Sequence, residues 1–414
     1  MRALPFVYAG TALLASAVGL GLWTGQTQAN HDDDDSPNVP RYEVDGTWPK
    51  PFPSTPDPVT GRPRTWIPGE VAGTCVDSRD HIFIVNRGNL IAPEDVKGIA
   101  APPVMEFNTK GEVVAAWGDR NMLPNGIHGC FIDYQDNVWI AGNGDGIVQK
   151  YTHNGVFLLQ IGTRGVCDNP PANTCGNSGA NQAANQSKTL LNQPADMYID
   201  PKRDPVTGER GSIYIADGYG NHRVVVFKAD GTYLRQWGGV AGTVINPVTD
   251  FPALFGAGDG GHPHCVVIGK DDLVYVCDRQ NDRIQVFTKT GSLVRVIPVV
   301  PGTGVTPGPN GAPPLGTAGS AWDVDFSSDP KQAFILEADG GNEQVLIMSR
   351  KKGTILSKFG QPGRQSAQFT FLHTVTVDSK GNLYTGETVN GRRIQKFKEC
   401  NEGRGRSKDR DDCS

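Results

Sequence analysis

The chain has 414 residues and a formal net charge of -5, with 39 Lys and Arg against 44 Asp and Glu. Its basic residues are scattered along the sequence, which argues against a nucleic-acid-binding face and against a polybasic membrane patch. The 52 Gly and 30 Pro imply frequent turns and few long helices, so the composition favours an all-β fold.

The first 29 residues have the pattern of a secretory signal peptide. One early Arg precedes an apolar run that starts at Leu13, and small residues follow it up to Ala29. An uncleaved membrane anchor is the alternative, although the apolar run is short for a membrane span. We therefore expect a secreted or periplasmic protein with no membrane segment in its mature form. Residues 30–40 contain four consecutive Asp and read as an acidic linker.

A unit of four short strands recurs six times in residues 41–400, ahead of a charged C-terminal tail at 401–414. Its strands alternate in polarity and are separated by turn dipeptides such as Asp-Gly, Lys-Gly and Thr-Gly. The copies span residues 69–119, 124–163, 191–239, 262–297, 319–360 and 369–397. Repeated four-stranded units are typical of a β-propeller, whereas a pair of β-sandwiches would not explain six copies of one unit.

The sixth copy stops after its third strand. The stretch YEVDGTW at 42–48 is the candidate for the missing fourth strand, since it ends in Trp48 as other fourth strands end in Trp117 and Trp237. Pairing it with the last copy would leave no long open edge. The sequence thus predicts an all-β, six-bladed β-propeller of NHL-like repeats whose ring is closed by an N-terminal strand.

Three histidines occupy one position of the repeat. We aligned the copies on the residue after the first strand, which is Asp77, Asp133, Asp200, Gly269, Asp325 or Asp378. Five residues earlier stand His128, His264 and His373 in the second, fourth and sixth copies, against Ala72, Ala195 and Ser320 in the others. First strands line the channel of a propeller, so three imidazoles from alternate blades would converge. Three nitrogen ligands with an open position indicate a catalytic zinc site.

A single histidine is more often a hydrogen-bonded loop residue than a ligand, and only the shared register favours the metal. The other histidines that lie out of register are predicted to be in loops: His81, His153, His222 and His262. Cys130, two residues after His128, would point the same way along a strand. It is either a residue approaching the metal or a buried or disulfide-linked cysteine.

Residues just past the second strands should surround the histidine end of the channel, because the first two strands of a blade are antiparallel. They include Arg87, Tyr219 and Arg279. An Arg there can hold a carboxylate. A Tyr beside a dication ionises more readily, which makes it a candidate general base. The alternatives are solvated loop residues or salt bridges to neighbouring Asp, while the recurring Asp217, Asp278 and Asp339 are predicted to form turns.

All eight cysteines lie beyond the predicted signal peptide, and an even count in an exported chain favours disulfides. Cys167 and Cys175 bracket a short loop, and Cys265 and Cys277 fall nearly opposite across a hairpin. Cys400 could pair with Cys413.

These motifs resemble the peptidyl-α-hydroxyglycine α-amidating lyases over nearly all of the mature sequence. The stretch PHCVVIGKDDLVYVCDRQNDRIQVF looks like the family's second zinc blade, with His264 as ligand, and GIHGCFID and FLHTVTVD match its other two ligand motifs. The resemblance implies a zinc-dependent lyase that cleaves a carbinolamide to an amide and glyoxylate. It also implies that Tyr219, in Ala-Asp-Gly-Tyr, and Arg87, in Val-Asn-Arg-Gly, are catalytic.

Two departures from the family concern the third ligand. Phe371 replaces a Met two residues before His373, so we expect Phe371, with Arg87 and Arg279, to contact substrate. Thr374 replaces an Asp that helps to bind a structural calcium, which argues against Ca²⁺ here. We expect a monomer that takes a peptide or small-molecule substrate and no nucleic acid. The alternative functions are a non-catalytic propeller that binds a protein or polysaccharide, and a propeller lactonase, for which the carboxylate cluster is missing.

Overall fold

The structure is a computed structural model that describes residues 38–175, 185–242, 244–256, 262–303 and 319–400. The predicted signal peptide, most of the acidic linker, the C-terminal tail and Cys413 lie outside these ranges. Residues from Val39 onward form one compact unit. Of the helices in the described ranges, none has the length and apolar character needed to cross a membrane.

The described chain is built almost entirely of short strands. The elements of the N-terminal half are β1 (Arg41–Val44), β2 (Ser54–Pro56), β3 (Pro63–Ile67), β4 (Val71–Val76), β5 (Ile82–Asn86), α1 (Glu94–Lys97), β6 (Gly98–Ala100), β7 (Val104–Phe107), β8 (Val113–Trp117), β9 (Ile127–Ile132), β10 (Val138–Gly142), β11 (Ile147–Tyr151), β12 (Phe157–Ile161), β13 (Asp196–Arg203) and β14 (Arg210–Asp217). The remainder are β15 (Arg223–Phe227), β16 (Tyr233–Gly238), β17 (Val266–Ile268), β18 (Leu273–Asp278), a 3₁₀ turn (Arg279–Asn281), β19 (Arg283–Thr288), β20 (Leu293–Pro298), β21 (Asp323–Phe326), β22 (Phe334–Asp339), β23 (Gln344–Ser349), β24 (Ile355–Phe359), β25 (Leu372–Val377), β26 (Leu383–Glu387) and β27 (Ile394–Cys400).

Six four-stranded antiparallel sheets follow one another along the described chain, as the repeat predicted. In chain order they are β4-β5-β7-β8, β9 to β12, β13 to β16, β17 to β20, β21 to β24, and β25-β26-β27-β1. Inner and central strands are buried on both faces, whereas outer strands are partly exposed. The predicted all-β class is therefore confirmed.

The N-terminal strand completes the last sheet. β1 runs antiparallel to β27, with Arg41 opposite Cys400 and Val44 opposite Phe397. The strand ends four residues earlier than the 42–48 stretch suggested, because the chain turns at Asp45 and carries Trp48 inward, where it is buried.

Trp48 contacts the first sheet as other outer-strand tryptophans contact the sheet that follows theirs. A Cβ placed on Gly111, in the β7–β8 turn, would lie 2.6 Å from the Trp48 indole. Gly155 meets Trp117 and Gly291 meets Trp237 in the same way. Each of these turn glycines has a positive φ, so only glycine gives both the turn and the close approach. The same contact thus recurs between the last sheet and the first.

Six hydrophobic clusters lie between successive sheets. Five of them each join one sheet to the next along the chain, from the first and second sheets to the fifth and sixth. The other brings Trp48, Tyr384 and Ile394 of the last sheet together with Ile84 and Met105 of the first. Burial of apolar surface between sheets is the main force that holds such repeats together.

The first repeat contains an insertion that the repeat pattern did not predict. Between β5 and β7 the chain forms α1 and β6, and β6 pairs in parallel with β3 in a three-stranded sheet with β2. Residues 87–103, which carry this insertion, follow directly on β5 and so place Arg87 at the start of a long connection.

Candidate metal centre

One position of the repeat lies at or near the start of the inner strand in every sheet. We call it the ring position, because the six sheets each contribute one such residue. Strand pairing places Ala195 before the Asp196–Ala216 pair and Trp322 before the equivalent Asp323–Ala338 pair. The same pairing puts Ala72, His128, His264 and His373 at this position in the other sheets.

The alignment of the fifth repeat was wrong by two residues. Ser327 bonds back to Phe334, closing the turn that Asp77 closes in the first sheet, so Ser327 and not Asp325 is the reference residue. The ring position of that sheet is consequently Trp322 and not Ser320. The Ala-Asp and Trp-Asp pairs at 195–196 and 322–323 were the signal that would have revealed this large aromatic residue.

The three histidines from alternate sheets meet at this ring position. Their ring centroids are 4.6 to 5.1 Å apart, and one ligand nitrogen of each lies within 4.8 Å of the other two. The Nε2 atoms of His128 and His373 are 3.2 Å apart. All three side chains are buried at one end of a cavity of about 260 Å³. This arrangement could hold a metal ion through nitrogen ligands.

Backbone carbonyls of the neighbouring sheets orient the imidazoles. The Nδ1 atom lies 2.8 Å from the Ala195 oxygen in His128 and 2.6 Å from the Trp322 oxygen in His264. Because a carbonyl only accepts, Nδ1 carries the proton in both rings and Nε2 keeps its lone pair. His373 faces the Ala72 carbonyl, which opposes the fall in its pKa, although the geometry falls short of a full hydrogen bond.

The electrostatic surroundings keep the imidazoles neutral. Burial lowers the pKa of His128 well below its ordinary value, and the charges of His373 and Arg87 lower it further. Burial, followed by Arg87 and Arg279, lowers the pKa of His373 to about 3. Burial and Arg279 act in the same direction on His264, whose buried Nε2 has no hydrogen-bond partner. Neutral imidazoles with inward lone pairs fit the donor set of a bound Zn²⁺.

Tyr219 contacts both a histidine and an arginine. Its hydroxyl lies 3.0 Å from Nε2 of His128 and accepts a hydrogen bond of 3.2 Å from Nη1 of Arg279. Sequence analysis placed Tyr219 and Arg279 in the same region, and the structure brings them into contact.

Arg279 is a buried cation for which the described residues supply no carboxylate partner. Its guanidinium lies 4.4 Å from the centroid of the Trp322 ring, and its Nε has no hydrogen-bond partner. Burial lowers the pKa of Arg279, while Tyr219 opposes the shift. Within the described ranges no acid forms an ion pair with it. A buried guanidinium in this state favours binding of an anion.

Arg87 and Phe371 lie at the edge of the centre. The Arg87 guanidinium pairs with Glu70, which the sequence had not indicated, and its Nε donates to the Ile127 carbonyl. Phe371 has a φ of 65° and packs its ring 5.3 Å from Trp322. The role of Arg87 as a carboxylate-binding residue stays a prediction, and the geometry gives Arg279 the place nearer to Tyr219.

The acids that recur after the second strands do more than form turns. Asp217 is fully buried and accepts hydrogen bonds from Asn221 and Arg223. Asp278 bonds Asn281 and Arg283 in the same way. Because Tyr219 and Arg279 follow these acids closely, the buried ion pairs hold the segments that present them.

Three disulfides join cysteines in the described residues. They are Cys167–Cys175, Cys265–Cys277 and Cys75–Cys130. The first two agree with the predicted proximities, and the third excludes Cys130 as a metal ligand. Thr374, which replaces the calcium-binding Asp of the amidating lyases, donates a hydrogen bond to Asp323.

Comparisons with known proteins agree with this architecture. The NHL repeat family model matches residues 261–287. Peptidyl-glycine alpha-amidating monooxygenase B of Xenopus laevis is 26% identical over 77% of this chain and 33% of its own length. A probable peptidyl-alpha-hydroxyglycine alpha-amidating lyase of Caenorhabditis elegans is 23% identical over 53% of this chain and 56% of its own. The resemblance to the amidating enzymes is confirmed.

The chain is also similar to an NHL repeat-containing protein and to a solved lyase structure. NHL repeat-containing protein 3 of Homo sapiens is 27% identical over 73% of this chain and 74% of its own. A streptogramin B lyase structure superimposes with a TM-score of 0.47 at 15% identity, covering 80% of this chain and 94% of that one. The chain spans about a third of the length of the amidating monooxygenases that it matches.

Proposed function

We propose that the protein is a zinc-dependent lyase that cleaves the C–N bond of a peptidyl-α-hydroxyglycine-like carbinolamide, producing an amide and glyoxylate. The observation that carries this proposal is the meeting of three neutral imidazoles beside the Tyr219 hydroxyl. The fold that positions them is a six-bladed β-propeller, and the cluster linking the last sheet to the first supports its closure.

His128, His264 and His373 would hold the ion through their Nε2 atoms. A bound Zn²⁺ supplies Lewis-acid polarisation of a substrate oxygen. The Nδ1 atoms of His128 and His264 donate to carbonyls of the neighbouring sheets, which keeps these two rings in one orientation.

Tyr219 acts as the general base. In its ionised form its oxygen accepts the proton of the substrate hydroxyl. The electron pair of the broken O–H bond then forms the second carbon–oxygen bond of the glyoxylate aldehyde, and the C–N electron pair leaves on the amide nitrogen, which takes up a proton. Nη1 of Arg279 donates a hydrogen bond of 3.2 Å to the Tyr219 hydroxyl and so holds that oxygen in place.

Arg279 and Arg87 hold the carboxylate that leaves as part of glyoxylate. Arg279 is buried and pairs with no acid among the residues that the structure describes, so an incoming carboxylate would satisfy its charge. Arg87 lies farther out and is already paired with Glu70, which makes it the weaker contact. Trp322 and Phe371 form an apolar wall that excludes water beside the reacting carbon.

The compartment that we propose is outside the cytoplasm. Three disulfides among the described residues are typical of oxidising compartments. We propose that residues 1–29 direct export and are removed. The mature protein, residues 41–400 with short flanks, would act as a monomer on a peptide or small molecule.

The test is an assay of glyoxylate release from an N-acyl-α-hydroxyglycine together with elemental analysis of the purified protein. At least one zinc ion per chain, with glyoxylate release that stops on chelation, supports the lyase. A folded, metal-free protein that releases no glyoxylate rejects it.

A non-catalytic propeller is the second candidate. It is favoured by the matches to NHL repeat-containing protein 3, which cover about three quarters of both chains at 26 to 27% identity. Under this function the protein binds a protein or polysaccharide through its surface, and substitution of the three histidines leaves that binding unchanged.

A further inference from the structure

A second group of metal-ligating side chains lies at the other end of the first two sheets. Asp77, Glu106 and His153 bring one ligand atom each within 4.8 Å of the others. His81 adds an imidazole whose Nδ1 is 2.6 Å from Oε1 of Glu106. Asp77 directly follows β4, whereas the ring position, Ala72, lies near the start of β4, so this group and the three histidines lie at opposite ends of the inner strands.

The chain already places a cation in this group. The Nη2 atom of Arg79 lies 2.7 Å from Asp77 Oδ2, 3.0 Å from Glu106 Oε1 and 2.7 Å from His153 Nε2. The same Nε2 of His153 also lies 3.1 Å from Oε2 of Glu106, so this nitrogen faces both a hydrogen-bond donor and an acceptor. One positively charged nitrogen is thus surrounded by all three ligand atoms.

The charges in the group are not balanced by Arg79. The carboxylates of Asp77 and Glu106 are 0% and 5% exposed, whereas the Arg79 side chain is 54% exposed. Two buried negative charges therefore face one positive charge held by a flexible, mostly solvated side chain. A divalent cation would neutralise both carboxylates, and Arg79 is free to move outward into solvent.

We propose that Asp77, Glu106, His153 and His81 form a second binding site for a first-row divalent ion, best suited to Zn²⁺, which displaces Arg79 on binding. Mixed imidazole and carboxylate ligands are the set that Zn²⁺ accepts, whereas Ca²⁺ and Mg²⁺ prefer oxygen ligands alone. The ligand atoms need only small movements, because the contacts within the group already span 2.6 to 3.1 Å.

The ion would join two neighbouring repeats. His153 belongs to the turn between β11 and β12 of the second sheet, whereas Asp77, His81 and Glu106 belong to the first. The His153 ring also packs edge-on against Phe83 of the first sheet, at 5.0 Å between centroids. The site therefore stabilises the junction between the sheets and is independent of the proposed lyase activity.

Zinc titration with a competing chromophoric chelator tests the proposal in four forms of the protein. We expect two ions per chain in the wild type, one in His264→Ala, one in His153→Ala and none in the double variant. In the His264→Ala background, Arg79→Ala should bind the remaining ion roughly five-fold more tightly, because a competing ion pair has been removed. Zinc should also raise the melting temperature of His264→Ala.

The matched control is Arg164→Ala, which removes another partly exposed Arg paired with a buried Asp but near no histidine. It should leave zinc affinity unchanged. Glu106→Gln provides a second ligand variant if His153→Ala folds poorly, and its melting curve without metal reports folding. A zinc stoichiometry that is the same in the wild type, His153→Ala and Glu106→Gln overturns the site, whatever the three-histidine centre binds.

Discussion

The hydroxyl oxygen of Tyr219 lies 3.0 Å from Nε2 of His128, so the residue proposed as base and a proposed ligand are in direct contact. Tyr219 comes from the segment after β14 of the third sheet and His128 from β9 of the second. Their contact therefore depends on how two neighbouring sheets pack. Removing either group should have different consequences, because one would bind the ion and the other would act on the substrate proton.

Tyr219→Phe should keep its zinc and lose activity. The ring remains to pack against His128, but no oxygen is left to accept a proton, and a positioned base contributes about 10²- to 10⁴-fold in rate. We expect kcat for glyoxylate release to fall by about that factor with little change in metal content. Tyr233→Phe, on an outer strand, should behave as wild type. Full activity in Tyr219→Phe would end the assignment of the base.

His264→Ala should lose the ion of the three-histidine centre. A site left with two imidazoles holds zinc poorly. The zinc content of the three-histidine centre, measured by elemental analysis, and the rate of glyoxylate release should fall together. His222→Ala removes a buried histidine outside the centre and should retain both, so equal metal loss in the two variants would contradict the assignment.

Arg279→Gln should raise KM for a carboxylate-bearing substrate. Loss of a charge-assisted bond at a buried site costs about 2 to 3 kcal/mol, or roughly 30- to 150-fold in affinity. Arg87→Gln should have a smaller effect, since Arg87 is shared with Glu70. Steady-state kinetics with the free acid and with its methyl ester measures the contribution of each Arg to carboxylate binding. If the ratio of the two KM values is the same in the wild type and in both variants, neither Arg binds the carboxylate.

Acid should destabilise the fold through His222. Burial lowers the pKa of His222 to about 4, with the charge of His262 acting in the same direction and Asp278 opposing it. The unfolded histidine has a pKa near 6.5, so between these values the unfolded state binds the proton more readily. Stability is therefore retained above about pH 6.5 and lost as pH falls toward 4, by about 3 kcal/mol in total.

Urea unfolding at several pH values checks this dependence. His222→Gln cannot take up the proton, so its free energy of unfolding should fall less steeply between pH 6.5 and 4 than that of the wild type. Parallel pH profiles for the two proteins would refute the prediction.

Trp48→Ala should destabilise the whole repeat array. Trp48 is 5% exposed and packs between the last sheet and the first. Truncation of a buried aromatic side chain costs about 3 to 5 kcal/mol, and here it also weakens the contact that links the chain ends. Phe157→Ala, at an exposed position on β12, should change the free energy of unfolding by less than about 0.5 kcal/mol. Similar melting temperatures for both variants would argue against closure through Trp48.

The sequence by itself determined the repeat and, through it, most of the candidate centre. Turn glycines and alternating polarity are local properties, so they located the four-stranded units and the completing strand at the N-terminus. His128, His264 and His373 share one position of that repeat, and a repeat converts equal register into a common place in space. The same reasoning wrongly placed Ser320 at the ring position of the fifth repeat. The turn after β21 is longer there and Ser327 replaces the usual Asp, so Asp325 was taken as the reference residue.

Only the tertiary structure decided which neighbours complete the centre. Arg279 contacts Tyr219 and Trp322 although the three belong to segments of different sheets, and no sequence spacing encodes that contact. In the same way, no local pattern distinguishes Glu106 from other strand residues, and only the packing of the two sheets places His153 beside it. Side-chain contacts between repeats depend on packing angles and loop lengths, which the three-dimensional arrangement of the sheets sets.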